Sequence, residues 1–297
     1  MRRLLAAMIL LAPLASEAAP LTKQPGFDCA KATQPAEKAI CADDSLAAMD
    51  RLLGRVYRLA VEGQPADRVT ALKAAQGRWL LDRNKAFKDA NNDPMMLNGV
   101  YHRRIQEVIR LAGQRALAAA IAVAKPIDPL KEAGRDAEDD AGFVAYTLTT
   151  LFPSPDAPDP GGAEEVLSNL ELYGGFSFAA ALPDGRLFVA VPEGCGAYQC
   201  SNFPFLIDKA KGIAARLGVE VLADGKRRVD PGAAPVGLVS LNGPLVEFFE
   251  QGRGLGDCGS KWRYRVEGQT LKLVQLEEKP ECDGRPWDGK GTKTRTF

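Results

Sequence analysis

From Lys31 to about Lys125 the apolar residues recur at intervals close to 3.6, the period of a helix face. Pro35 suits the first turn of a short helix ending near Cys41. Asp43 or Asp44 can cap the next helix, whose face carries Leu46, Met49, Leu53, Val56 and Leu59. Gly63, Gln64 and Pro65 break it. A longer helix follows, with Val69, Leu72, Ala75, Trp79 and Phe87 inward, and Asn91, Asn92, Asp93 and Pro94 form a turn. The last helix carries Met96, Leu97, Val100, Tyr101, Ile105, Val108 and Leu111, and its pattern continues through an alanine-rich stretch to Ala124. Short connections imply antiparallel neighbours, a small helical hairpin or bundle over residues 27–125.

Residues 126–163 change character. Prolines recur at 126, 129, 153, 155, 158 and 160, and Glu132 to Asp140 is acidic, so the segment reads as a Pro/acidic linker. Its middle, Phe143 to Leu148, fits a helix or a strand packed on the next domain. From about Gly174 the signals become strands and turns. Phe176–Leu182 and Arg186–Val191 flank Pro183-Asp184-Gly185; Val236–Leu241 and Leu245–Phe249 flank Asn242-Gly243. Trp262–Val266 and Leu271–Leu276 flank Glu267-Gly268-Gln269, and alternation in the last strand implies one buried and one wet face. The fold class read from this pattern is α+β in two domains, a helical bundle followed by a mostly antiparallel β domain over 164–297. Two stretches echo each other: Leu187–Ile207 and Leu245–Val266 are each a strand, a Gly-Cys-Gly elbow and a second strand.

Composition adds compartment and excludes partners. Arg2 and Arg3 precede an apolar run from Leu4 to Leu14, and Ser16 and Ala18 suit a signal-peptidase site, so residues 1–18 read as an export signal cleaved near Ala18. The run is too short to span a bilayer, where about 20 residues are needed. The expected location is the periplasm or the exterior. The chain has equal numbers of Lys+Arg and Asp+Glu, which argues against nucleic acid and an anionic membrane surface. The remaining chain of roughly 280 residues is long for one core. Export makes Cys29, Cys41, Cys195, Cys200, Cys258 and Cys282 structural cross-links rather than thiolates or metal ligands. Proximity favours Cys29–Cys41, Cys195–Cys200 and Cys258–Cys282; a crossed Cys195–Cys258 link is the alternative. His102 is the single histidine, and it falls beside the apolar stripe of its helix, as a solvated surface residue. The acidic cluster Asp136, Glu138, Asp139 and Asp140 lacks the spacing and glycine of an EF-hand loop and reads as a charged solvated segment. No metal or cofactor is implied.

Two resemblances refine this. Phe27-Asp28-Cys29-Ala30-Lys31-Ala32, then Ala36-Glu37-Lys38-Ala39-Ile40-Cys41, Leu46 and Asp50, followed by Trp79-Leu80, Arg83, Leu97, Tyr101, Arg104 and Glu107, resemble the lysozyme-inhibitor LprI domain over residues 27 to about 112. Members commonly carry a second cysteine pair; those places hold Phe87 and Met96 here, where an apolar contact replaces a bridge. Trp79, Arg83, Tyr101 and Arg104 read as packing and interhelix hydrogen bonding. Cys195-Gly196-Ala197-Tyr198 with Ser201, Gly254-Leu255-Gly256-Asp257-Cys258-Gly259-Ser260, Trp262, Pro280-Glu281-Cys282 and Trp287 resemble a family of bacterial envelope proteins of unknown function.

The function expected is an exported protein-binding module, with lysozyme or another envelope protein as partner. An inhibitor can block lysozyme's two carboxyl groups with a protruding loop that donates hydrogen bonds. Ser201, Asn202, Ser260 and Lys261 are the loop donors, Trp287 is a contact aromatic, and Lys31 and Arg83 are the helical candidates. The alternatives are an envelope structural or assembly protein and a cell-wall hydrolase using Glu193, Asp257, Glu277 or Glu281; no catalytic residue has motif status.

Overall fold

Three of the first four helices begin where a side chain can occupy open amide groups; the third, entered from Pro65, has no side-chain cap. In α1 (Pro35–Ala42) Gln34 and Glu37 form a reciprocal capping box, with Pro35 in the first turn. In α2 (Asp44–Val61) the Asp43 carboxylate accepts from the Ser45 and Leu46 amides, 2.8 and 3.0 Å. Helix α3 runs Ala66–Asp89. The turn after it uses Asn91 and Asn92, both at positive φ, before Asp93 caps α4 (Pro94–Ala112). The computed structural model describes residues 24–127, 135–155, 178–285, 287 and 291–297, with backbone alone over 135–139. The export signal, the side chains of Asp136, Glu138 and Asp139, and residues 156–163 of the proline-rich connector lie outside it.

The pattern predicted one helix to Ala124; the chain instead breaks at Gly113, whose φ of 52° an L side chain rarely adopts, and restarts as α5 (Gln114–Val123). Phe143–Leu148 belongs to a helix, α6 (Arg135–Leu151), which packs on α4 and α5. That helix corrects the reading of His102. The imidazole is 1% exposed, stacked on Tyr146 with ring centroids 5.6 Å apart, its Nδ1 2.5 Å from the Tyr146 hydroxyl. Asp140, six residues before Tyr146 on α6, is ion-paired with Arg55 at 2.8 Å.

Eleven described strands form two sheets. The first is a four-stranded meander of β1 (Phe178–Ala181), β2 (Leu187–Cys195), β3 (Cys200–Asp208) and β4 (Ile213–Arg216), all antiparallel. The second has the order β6-β5-β10-β9-β8-β7, from β5 (Gly218–Ala223), β6 (Lys226–Asp230), β7 (Leu238–Asn242), β8 (Leu245–Gln251), β9 (Gly259–Glu267) and β10 (Thr270–Lys279). Strand β11 (Lys293–Thr296) adds antiparallel to β10, and β5 touches β10 by a short parallel register. Both cysteine elbows are antiparallel hairpin ends, β2–β3 and β8–β9.

The layers follow from period-2 alternation. On β2 and β3, Leu187, Val189, Val191, Phe203, Phe205 and Ile207 share one core with α1, α2, α4, α5 and α6. The alternate residues Phe188, Ala190 and Leu206 face the second sheet, where Val246, Phe248, Tyr264, Leu271 and Leu273 meet them. Phe188 meets Phe248 edge-to-face across the sheets at 6.4 Å, and Phe248 meets Tyr264 in the same way within the second sheet at 5.8 Å. The first sheet is thus buried on both faces, between helices and sheet. Pro204 sits in β3 one residue before the β4 ladder begins, where its missing N–H leaves no rung unmade.

Candidate functional site

The interior of the helical region is organised around Tyr101. Its hydroxyl donates to Asp50 Oδ1 at 2.8 Å and accepts from Arg83 Nη1 at 2.9 Å, while the Gly26 amide donates to Asp50 Oδ2 at 2.8 Å. Burial, reinforced by the neighbouring Asp50 charge, pushes the phenol far above its ordinary pKa, so it stays a neutral donor. Arg104 forks onto Gln76 Oε1 at 3.0 and 2.8 Å and reaches Glu107 at 2.8 Å. Trp79 meets Tyr101 edge-on at 5.3 Å, with Arg83 and Arg104 near its ring at 5.7 and 5.9 Å. The packing and interhelix roles expected of Trp79, Arg83, Tyr101 and Arg104 are what these distances describe. Phe87 and Met96 both join the helical core.

Above this network α2 and α3 part. The space between them is a cleft of about 460 Å³, walled by Phe27, Tyr57, Trp79 and Leu80 and edged by Arg51, Arg58 and Gln76. The bridge Cys29–Cys41 and the Gly26–Asp50 hydrogen bond hold the entering segment against it. Sequence periodicity gave no sign of it, because the pattern describes each helix face and not a gap between two helices.

The loop donors expected in the β region divide into two places. Ser260 and Lys261 lie on β9, and the structure brings Lys261 together with Trp287: the Lys261 ammonium is 4.7 Å from the Trp287 ring and 5.3 Å from Phe249. Trp287 donates from Nε1 to Glu277 at 2.7 Å, and Glu277 also pairs with Arg263 at 3.1 Å. Ser201 and Asn202 lie apart from them on β3. Asn202 is corrected: it is 2% exposed, and its side-chain amide donates to the Cys200 and Gly237 carbonyls at 2.9 and 3.1 Å, so it ties β3 to the segment before β7 rather than facing a partner. Ser201 donates to the Gly194 carbonyl at 3.2 Å. Lys31 is exposed and paired with Asp28, whereas Arg83 is buried.

The elbows themselves meet. Gln199 accepts from the Gln251 amide at 2.6 Å and donates to its carbonyl at 3.3 Å, joining the β2–β3 turn to the β8–β9 loop. Cys195–Cys200 closes the first elbow and Cys258–Cys282 pins the second to the tail beyond β10. Gly259 has φ 134°, and a Cβ there would fall 2.1 Å from the Glu250 carbonyl oxygen, so the close approach needs glycine. On this braced tip Tyr198 and Leu255 are 43% and 77% exposed.

Asp257 is the polar hub of the tip. Arg253 grips both its oxygens at 2.8 and 2.6 Å, and the Gly284 amide donates at 2.6 Å. The Arg253 guanidinium outweighs the opposing effect of burial and, with the Gly284 amide, holds the Asp257 carboxyl well below the usual carboxylate range. A carboxyl group whose folded pKa is depressed contributes stability that is present above its unfolded value, and that is lost as pH falls through the folded value. Asp257→Asn should therefore lower the urea midpoint at neutral pH. The gap from the unsubstituted protein should hold down to about pH 4 and narrow only in stronger acid. A gap that closes between neutrality and that point would contradict the assignment.

Residues 29–117 match the family described as "Lysozyme inhibitor LprI", and residues 164–296 match "Protein of unknown function (DUF1176)". The chain is 28% identical over 115 residues to "Uncharacterized protein YpfG" of Escherichia coli (strain K12), covering 37% of this chain and 31% of the relative. The match thus spans less than a third of that relative's length. No solved structure matches. Among the described residues no helix is long and apolar enough to cross a membrane.

Proposed function

We propose that this protein is an exported, non-catalytic binding module that inhibits a lysozyme-type muramidase through its helical domain. The LprI match supports the target class. The observation that carries the reading is the state of α3. Of its 24 residues only Leu72, Arg83 and Phe87 are buried, and Leu81 stands 70% exposed. A long helix packed along one edge, with a large apolar side chain outward, is a rigid ridge for a partner protein. Export near Ala18 into the periplasm or beyond accords with three disulfides and no free cysteine among the described residues. A glycosidase needs one carboxyl group kept protonated near neutrality, and the candidate Asp257 is instead held ionised by Arg253.

The test is lysis of bacterial cell walls by purified lysozyme with the mature chain added at micromolar concentration. Slowed lysis and co-elution of the two proteins are expected, with Leu81→Asp weakening the inhibition about tenfold, as loss of an apolar anchor does. Undiminished lysis with no complex would retire the reading. A second reading, an envelope-assembly protein, is favoured by one feature: the doubly stapled tip that keeps Leu255 in solvent.

A further inference from the structure

The α2–α3 cleft carries chemistry that a protein-docking ridge does not use. Leu81 is not among its lining residues, so the cleft and the ridge are separate surfaces of α3. Three aromatic side chains, Phe27, Tyr57 and Trp79, wall it. Gly54 lies in that wall on α2, and the nearest atom to a Cβ there is Arg58 Nη1, 3.7 Å away, so the space in front of it is open. Its polar groups are unevenly engaged. Both Asp50 oxygens are occupied, by the Tyr101 hydroxyl and the Gly26 amide. Gln76 lines the cleft and has given its oxygen to Arg104, so the capacity it retains is that of its amide donors. Arg51 donates to the Gln24 carbonyl at 2.6 Å. Among the described residues, the Arg58 guanidinium and the Tyr57 hydroxyl have no hydrogen-bond or ion-pair partner.

We infer that this cleft is a saccharide site and that its ligand is a carboxylate-bearing sugar of the muramyl type found in wall glycan. A pyranose ring presents C–H groups on its faces and hydroxyls at its edge. The electron-rich faces of aromatic rings attract such C–H groups, and the surrounding donors take the hydroxyls and an acetamido carbonyl. The open polar groups are nearly all donors, so the ligand must be rich in acceptors. Arg58 supplies the positive charge and planar fork that match a carboxylate. The volume lies within the range of roughly 300–1,000 Å³ typical of small-molecule sites. The walls are held by the Asp50–Tyr101–Arg83 network beneath them, so the site exists before the ligand arrives. The protein would then grip the polymer that a muramidase cleaves, independently of gripping the enzyme.

Calorimetric titration of the full mature chain with the disaccharide of N-acetylglucosamine and N-acetylmuramic acid tests this without any muramidase, so the result stands apart from the inhibition assay. The controls are chitobiose, its neutral counterpart, and an acidic dipeptide of similar size. Binding of the muramyl disaccharide at millimolar Kd or tighter is expected. Arg58→Gln, at an exposed position with no partner to lose, should weaken it about tenfold. Gly54→Leu should fill the cleft and abolish binding while leaving the thermal midpoint unchanged or raised, since a helix-interior glycine is replaced. Absence of binding overturns the inference. So does chitobiose bound as tightly, the acidic dipeptide bound in preference, or full binding by a folded Gly54→Leu variant.

Discussion

Phe205→Ala should cost about 3–5 kcal/mol, the range for deleting a buried aromatic ring. Phe205 is wholly buried on β3, opposite Val189 of β2, on the face that meets the helices. No solvent-exposed side of the first sheet is available to relax into the space, because its other face is filled by Phe188 and Leu206 against the second sheet. Set against a total stability of order 5–15 kcal/mol, one substitution would remove a large fraction. Its signature should extend beyond the sheet. The core that contains Phe205 also contains Leu46 and Leu53 of α2, Tyr101 and Ile105 of α4 and Phe143 of α6. Helical circular dichroism and, in a Trp79→Phe background, the fluorescence of Trp262 on β9 and Trp287 beyond β10 should therefore shift to lower urea together, in one transition. A variant whose helical signal keeps its original midpoint while the tryptophan signal moves would show that the helices do not depend on this sheet.

That shared core marks the boundary of what the sequence discloses. Helix starts were legible because their signals are local: Pro35 opens α1 and Asp43 caps α2, each within one turn of where it stands. Hairpins were legible for the same reason, through Pro183-Asp184-Gly185, Asn242-Gly243 and Gly268. Strands β4, β5 and β6 were not read from the sequence, and β6 (Lys226–Asp230) is exposed along nearly all its length, so no buried face marks it. Helix α6 was ambiguous because an acidic run and prolines flank it, and only tertiary contact decides a short apolar stretch. His102 shows the cost of that ambiguity: the period fixes its angle on α4 but not the arrival of Tyr146 from forty-four residues along the chain. Asn202 was read as a loop donor because polar residues near a cysteine elbow usually face water. Its burial depends on the segment preceding β7, a long-range partner that no local pattern announces. The α2–α3 cleft is a gap between elements, and periodicity describes elements singly.

Replacing Cys258 and Cys282 together by serine should cost about 3.5 kcal/mol, the chain-entropy value for a link across 24 residues. The same formula gives about 2 kcal/mol for Cys195–Cys200, which spans only 5 residues. No further loss is expected there, because the Gly196 amide donating to the Gln199 carbonyl at 2.8 Å and the Cys195–Cys200 ladder register hold the folded turn without the bridge. The Cys258 sulfur is buried and Gly259 next to it requires its unusual backbone angle, so the loss at that bridge should also loosen the β8–β9 loop. Arg253 would still hold Asp257 and the Cys282 carbonyl, a polar clamp that retains part of the tip's order. The expected ranking in urea unfolding is therefore Cys258/Cys282 well below Cys195/Cys200, with limited proteolysis cutting first near Leu255 in the former variant. Equal losses for the two double variants, or protection of Leu255 after the longer bridge is removed, would mean that the clamp rather than the disulfide fixes the tip.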